Sequence, residues 1–104
     1  MKNAKEEFLN ETKDEVVIAA EISCYSMWNN GKDHKAVYLK QGYSQVEWEY
    51  FLNQLNFEYD DGYGTQQLHG TVWLADNAWL ERGEYDGSEW WEYKQTPNLP
   101  DYLK

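Results

Sequence analysis

The sequence predicts an α+β protein: one domain, with an antiparallel sheet of about five strands and one main helix, residues 43–55, packed on one face. Three observations carry that prediction. A capped, one-sided apolar pattern occupies residues 43–55, a period-two pattern runs from Glu15 to Trp28, and Asp86-Gly87 sits between two aromatic runs. The length, 104 residues, fits a single domain and leaves no room for a second core.

Along the chain, residues 1–13 form a charged segment whose only large apolar side chains beyond Met1 are Phe8 and Leu9. It is expected to be either one amphipathic helix docked by that pair or a frayed arm. From Glu15 to Trp28, Val16, Ile18, Ala20, Ile22, Cys24 and Trp28 share one parity, and Glu21, Ser23 and Tyr25 share the other. That alternation predicts a half-buried strand with Val16 through Cys24 facing inward. Asn29-Asn30-Gly31-Lys32 is turn chemistry, because Asn and Gly accept positive φ, and Ala36–Leu39 reads as the returning strand.

The helix signal is the strongest local one. Ser44 and Glu47 match a capping box, and Tyr43 and Trp48 stand where a hydrophobic staple forms. Trp48, Phe51, Leu52 and Leu55 then recur on one helical face. Asn56–Tyr59 predicts a short strand ended by Asp60-Asp61-Gly62-Tyr63-Gly64. Residues 67–75 predict another, with Leu68, Val72 and Leu74 opposite in parity to His69, Thr71 and Trp73. Asp76-Asn77 turns into a strand over 78–85, Asp86-Gly87 turns again into 88–94, and Pro97 and Pro100 leave an irregular tail over 96–104. One sheet face packs on the helix, and the other is expected to carry a polar, aromatic surface.

Composition narrows the function classes. The chain is 41% hydrophobic and 17% aromatic, with six Trp and nine Tyr, which is enough apolar area for a packed core. Its formal net charge is −10, a poor match to a phosphate backbone, so direct nucleic-acid binding is not expected. The charge is unevenly placed. Residues 1–40 carry seven acids and six lysines, whereas residues 41–104 carry twelve acids against Arg82, Lys94 and Lys104, a net of −9. Such an excess suggests an acidic face directed at a basic partner. One cysteine excludes an intramolecular disulfide framework, and no apolar run approaches a membrane span. Met1–Glu7 lacks the apolar stretch of a signal peptide, so a cytoplasmic location is expected.

The C-terminal hairpin can be paired residue by residue. A two-residue Asp86-Gly87 loop sets Tyr85 against Ser88, Glu84 against Glu89, Gly83 against Trp90, Arg82 against Trp91 and Glu81 against Glu92. Two of these pairs oppose like charges, each costing from a few tenths to about 1 kcal/mol. Arg82 can relieve them by reaching Glu84 or Glu89 and by lying over Trp91. Trp90 opposite Gly83 looks like a ring covering a strand glycine. Trp90 and Trp91 are adjacent and must point to opposite faces, so at least one lies on the second face or at an interface.

Trp79-x-Glu81-Arg82-x-Glu84-Tyr85-Asp86-Gly87-Ser88-Glu89-Trp90-Trp91, followed by Pro97 and Pro100, resembles the C-terminal part of small proteins from tailed bacteriophages and prophages. The likeness spans Val72 to Pro100. It implies a phage or prophage origin and supplies no catalytic residues.

Catalytic readings are weaker. Glu84 and Glu89 beside Tyr85, Trp90 and Trp91 suggest a glycosidase pair, but a chain with one main helix offers little wall for a cleft. Cys24, His34 and His69 lack metal-ligand spacing, and Gly62-x-Gly64 is not placed like a phosphate loop. The expectation is therefore a non-enzymatic protein with no cofactor and no metal. It would bind a basic host protein, a nucleic-acid-processing or defence enzyme, through a phosphate-mimicking acidic face. The residues expected to form that face are Glu58, Asp60, Asp61, Glu81, Glu84, Asp86, Glu89 and Glu92, with Tyr85, Trp90 and Tyr93 as aromatic anchors. The alternatives are an accessory phage protein that self-associates through its Trp-rich face, or a carbohydrate-binding module.

Overall fold

A computed structural model of the chain describes residues 2–26, 33–59, 66–97 and 99–103, with residues 25, 26 and 33–35 described by backbone alone. The turn expected at 29–32 and the acids Asp60 and Asp61 lie outside the described residues. The fold is α+β. Strand β1 (Lys2–Asn3) leads into helix α1 (Ala4–Thr12), then come β2 (Val17–Ser26), β3 (Asp33–Leu39), helix α2 (Gln45–Gln54), β4 (Glu58–Tyr59), β5 (Leu68–Leu74), β6 (Ala78–Tyr85) and β7 (Ser88–Gln95). Five strands form one antiparallel sheet in the order β3-β2-β5-β6-β7, and β1 pairs antiparallel with β4 in a separate two-stranded ribbon.

The N-terminal segment is a helix rather than an arm. Asn3 caps it, its side chain accepting from the Glu6 N–H at 3.0 Å, and Phe8 is fully buried. The Phe8 ring meets Phe51 edge-on at 5.4 Å and lies 5.9 Å from Trp48, which fixes α1 against α2. Helix α2 begins as its sequence requires. Ser44 Oγ accepts from the Glu47 N–H at 3.2 Å, and Glu47 Oε1 accepts from the Ser44 N–H at 3.1 Å. Tyr43 stacks on Trp48 at 5.6 Å, closing the staple, and its hydroxyl donates to the Val17 carbonyl at 2.6 Å. Phe51 and Leu55 are buried, with Trp48 and Leu52 packed beside them.

Strand β2 departs from the expected parity at its start. Its register against β5 shifts between Val17 and Ala19, so Val17 is buried and Val16 is 64% exposed. A bulge inserts one residue and moves the side chains before it to the opposite face. Beyond it, Ala20 and Ile22 face the core as expected. Opposite Ile22 lies Gly70, where a Cβ would collide with the Glu21 carbonyl and come within 2.9 Å of Ile22 Cα. The closeness of the two backbones excludes any side chain there.

The β6–β7 hairpin has the five predicted pairs, from Tyr85↔Ser88 to Glu81↔Glu92, and the same register continues to Ala78↔Gln95. Asp86 and Gly87 take φ of +53° and +88°, the left-handed pair of a type I′ turn. Beyond β7 the described residues are irregular apart from a 3-10 turn at Asp101–Leu103. Among the described residues no helix is long and apolar enough to cross a membrane.

Candidate functional site

Strand alternation divides the hairpin between two faces. Ala78, Leu80, Arg82 and Glu84 of β6, with Glu89, Trp91, Tyr93 and Gln95 of β7, point to the helix side. Trp79, Glu81, Gly83 and Tyr85, with Ser88, Trp90, Glu92 and Lys94, point to the other. Of the residues expected to form one acidic site, Glu81, Tyr85, Trp90 and Glu92 share the outer face. Glu84 and Tyr93 belong to the helix side, where both remain exposed, and Asp86 is exposed in the turn. Glu58 is exposed on β4.

Glu89 is the correction. It is only 3% exposed, its carboxylate accepting from the backbone N–H groups of Gln67 at 2.7 Å and Leu68 at 2.9 Å. Arg82 Nη2 donates to the same carboxylate at 2.6 Å. An acid so placed is an interior anchor and not a group held out for a partner. The opposition of Glu84 and Glu89 is relieved by this guanidinium and by Glu84 Oε1 accepting from the Gly87 N–H at 3.0 Å.

Arg82 is the centre of a buried ion cluster. Its Nη1 donates to Glu7 Oε2 at 3.1 Å and its Nη2 to the Tyr59 hydroxyl at 2.9 Å, while the Tyr59 hydroxyl donates to Glu7 Oε1. The guanidinium lies 4.8 Å from the centre of the Trp91 ring and 5.6 Å from that of Tyr59. Lys2 Nζ stands 3.7 Å from Glu7 at the rim. Burial, and then the hydrogen bond to Glu7, push the Tyr59 phenol far above its ordinary value, so it is held neutral. Burial opposes the Arg82 charge, but Glu7, Tyr59 and Glu89 together outweigh it and raise its pKa. The cluster joins α1, β4, β6 and β7.

The outer face is the open one. Registers align Tyr38, Glu21, Thr71, Glu81 and Glu92 in one row across all five strands, with Ala19, Trp73, Trp79 and Lys94 in the next. None of these nine residues is buried, and Tyr38, Trp73, Tyr85 and Trp90 are 61%, 45%, 77% and 39% exposed. Trp90 also covers Gly83, where a Cβ would lie 2.6 Å from its ring. Within the row, Glu81 accepts from the Trp79 indole and from Lys94, each at 3.1 Å, which holds its carboxyl below the usual range and raises Lys94. Glu81 and Glu92 stand directly opposite one another, so the Lys94 ammonium offsets part of their repulsion.

A second feature had no signal in the sequence. A cleft of about 470 Å³ opens between the end of α1 and the start of β2, lined by Leu9, Val16, Val17, Tyr43 and Trp48 among others. It lies on the helix side, apart from the acidic row. Among the described residues no group of three His, Cys, Asp or Glu side chains is arranged to hold a metal ion. Comparison with protein-family models, with curated proteins and with solved structures finds no match to this chain.

Proposed function

We propose that this is a non-enzymatic binding protein that takes a basic macromolecular partner on the outer face of its sheet. The observation that carries the proposal is the cross-strand row Glu21–Thr71–Glu81–Glu92, set among exposed Tyr38, Trp73, Tyr85 and Trp90 on a face no described residue covers. Carboxylates interleaved with aromatic rings suit Arg and Lys, which take a charge pair from one and a cation–π contact from the other. The net charge of −10 steers a basic partner and repels both nucleic acid and a second copy. Glu81 and Glu92 face one another on paired strands and Glu21 lies in the same row two strands from Glu81, a line of carboxylates that would stand in for phosphates. The phage-like motif sets the reading in an infected host, with a nucleic-acid-processing or defence enzyme as the partner.

The test is capture from bacterial lysate by the full chain, beside a Glu21→Gln/Glu92→Gln variant and a Trp73→Ala variant. The proposal expects a partner held at about 50 mM salt, released by about 300 mM, and weakened by both variants. Retention equal in all three proteins and indifferent to salt overturns it. Self-association would appear instead as a salt-insensitive oligomer by light scattering, and sugar stacking as a glycan-dependent tryptophan fluorescence change without salt sensitivity.

A further inference from the structure

The outer face ends at a strand edge whose geometry bears on how a basic partner is held. Among the described residues β7 pairs with β6 alone, and it is an eight-residue strand with unbroken register and no proline before Pro97. Sheets ordinarily protect such edges with bulges, proline, very short strands or lysine. Here the inward-pointing Glu89 stands at the turn end of β7, away from Trp91–Gln95, and the Lys94 ammonium is turned to Glu81.

The type I′ turn determines which backbone groups of β7 face outward. Residues flanking a two-residue loop form a hydrogen-bonded pair, and such pairs alternate along the ladder. Ser88, Trp90, Glu92 and Lys94 therefore direct their N–H and C=O groups to β6. The Thr96 N–H donating to the Asn77 carbonyl at 3.2 Å continues the same phase. It follows that Trp91, Tyr93 and Gln95 direct theirs to the open edge. A strand added there would face Trp90 and Glu92 in non-hydrogen-bonded pairs, where opposing side chains approach most closely, about 4.5 Å between Cα atoms.

We infer that β7 is a docking edge for an extended, basic peptide segment, which adds to the sheet as a sixth strand. Its backbone pairs with Trp91, Tyr93 and Gln95, and its alternate Arg or Lys side chains lie on the outer face against Glu92 and over Trp90. Charge selects this edge over the opposite one: β3 with the following Lys40 carries Asp33, Lys35 and Lys40, a net of +1, whereas β6, its turn and β7 carry Glu81, Glu84, Asp86, Glu89 and Glu92 against Arg82 and Lys94, a net of −3. Charge also selects the occupant, since a second copy of a chain at −10 is repelled. The inference rests on the basic-partner reading and adds the mode of binding.

The experiment uses the full chain with three short synthetic peptides: alternating Arg-Thr, the same peptide N-methylated on every second backbone nitrogen, and alternating Glu-Thr. Binding is read by titration, and amide hydrogen exchange is followed residue by residue. The expected result is that Arg-Thr binds and slows exchange at Trp91, Tyr93 and Gln95 about tenfold or more, leaving Trp90, Glu92 and Lys94 unchanged. N-methylation in the register that removes the donors should weaken binding about tenfold or more, as the loss of two or more hydrogen bonds requires. Equal binding of the methylated and unmethylated Arg-Thr peptides, without protection of those three amides, overturns strand addition and leaves the basic-partner reading standing. Glu-Thr binding as well as Arg-Thr, with the amides protected, keeps strand addition and overturns the charge selection. No binding by any peptide at low salt overturns the inference.

Discussion

Arg82 Nη2 and Glu89 Oε1 lie 2.6 Å apart with side chains 2% and 0% exposed, a buried ion pair across a hairpin that otherwise carries its acids in water. Glu7, 7% exposed, completes the cluster from the other end of the chain. The three charges sum to −1, and Lys2 at the rim brings a compensating charge. Removing Arg82 leaves two carboxylates buried without their cation. Arg82→Met is therefore expected to destabilise the fold by about 3–5 kcal/mol in chemical denaturation. Glu89→Gln leaves Arg82 its Glu7 partner but sets an amide NH2 against one of the Gln67 and Leu68 N–H groups, which reach different carboxylate oxygens, and should cost about 1–3 kcal/mol.

Tyr59 predicts the alkaline behaviour. Its folded pKa is raised above the ordinary 10, by burial and by the hydrogen bond to Glu7, so below that value the phenol is neutral in both states. Above it the unfolded chain releases the proton and the folded protein keeps it, so the unfolded state binds fewer protons and stability falls as pH rises. Thermal midpoints should drop from about pH 10 upward, with one tyrosine ionising only as the protein unfolds. Tyr59→Phe should be less stable at neutral pH, because Glu7 loses a donor, and should show a flatter decline above about pH 10. Raised Lys94 contributes to the same decline, so a remaining slope in Tyr59→Phe should diminish further with Lys94→Met.

Gly70→Ala should be among the most damaging single substitutions. The added methyl meets the β2 backbone at Glu21 and Ile22 in the centre of the sheet, where neither strand can yield without breaking its ladder. A loss of about 3 kcal/mol or more is expected, read as a lowered denaturant midpoint.

At Gly83 the obstacle is a side chain instead of a backbone. A Cβ there meets the Trp90 ring, which lies toward the edge of the sheet and can swing aside. Gly83→Ala should therefore cost only about 1 kcal/mol and shift tryptophan emission to the red as Trp90 gains solvent. A loss as large as that of Gly70→Ala would show that the ring is locked.

Ser44→Ala removes half of the capping box of α2. About 1 kcal/mol of stability should be lost, and Ser44→Asp should retain most of it.

The sequence alone determined the elements whose causes are local. The capping box at Ser44, the staple of Tyr43 on Trp48 and the type I′ turn at Asp86-Gly87 depend on residues a few positions apart, and each appears where its residues require. The hairpin pairing from Glu81↔Glu92 to Tyr85↔Ser88 was legible for the same reason, as was the separation of Trp90 from Trp91 onto opposite faces. The remaining features depend on contacts distant in sequence. The β2 bulge, which turns Val16 outward, is set by register against β5, and β1 forms only because β4 lies beside it. Glu7 and Arg82 are 75 residues apart, and neither has a local pattern that marks it as buried. The acidic site divided for that reason. Period-two geometry places Glu89 and Trp91 on the face opposite Trp90 and Glu92, but shared charge grouped Glu89 with Glu92 and gave no reason to bury a carboxylate. Two backbone donors at Gln67 and Leu68 and the Arg82 guanidinium supplied one.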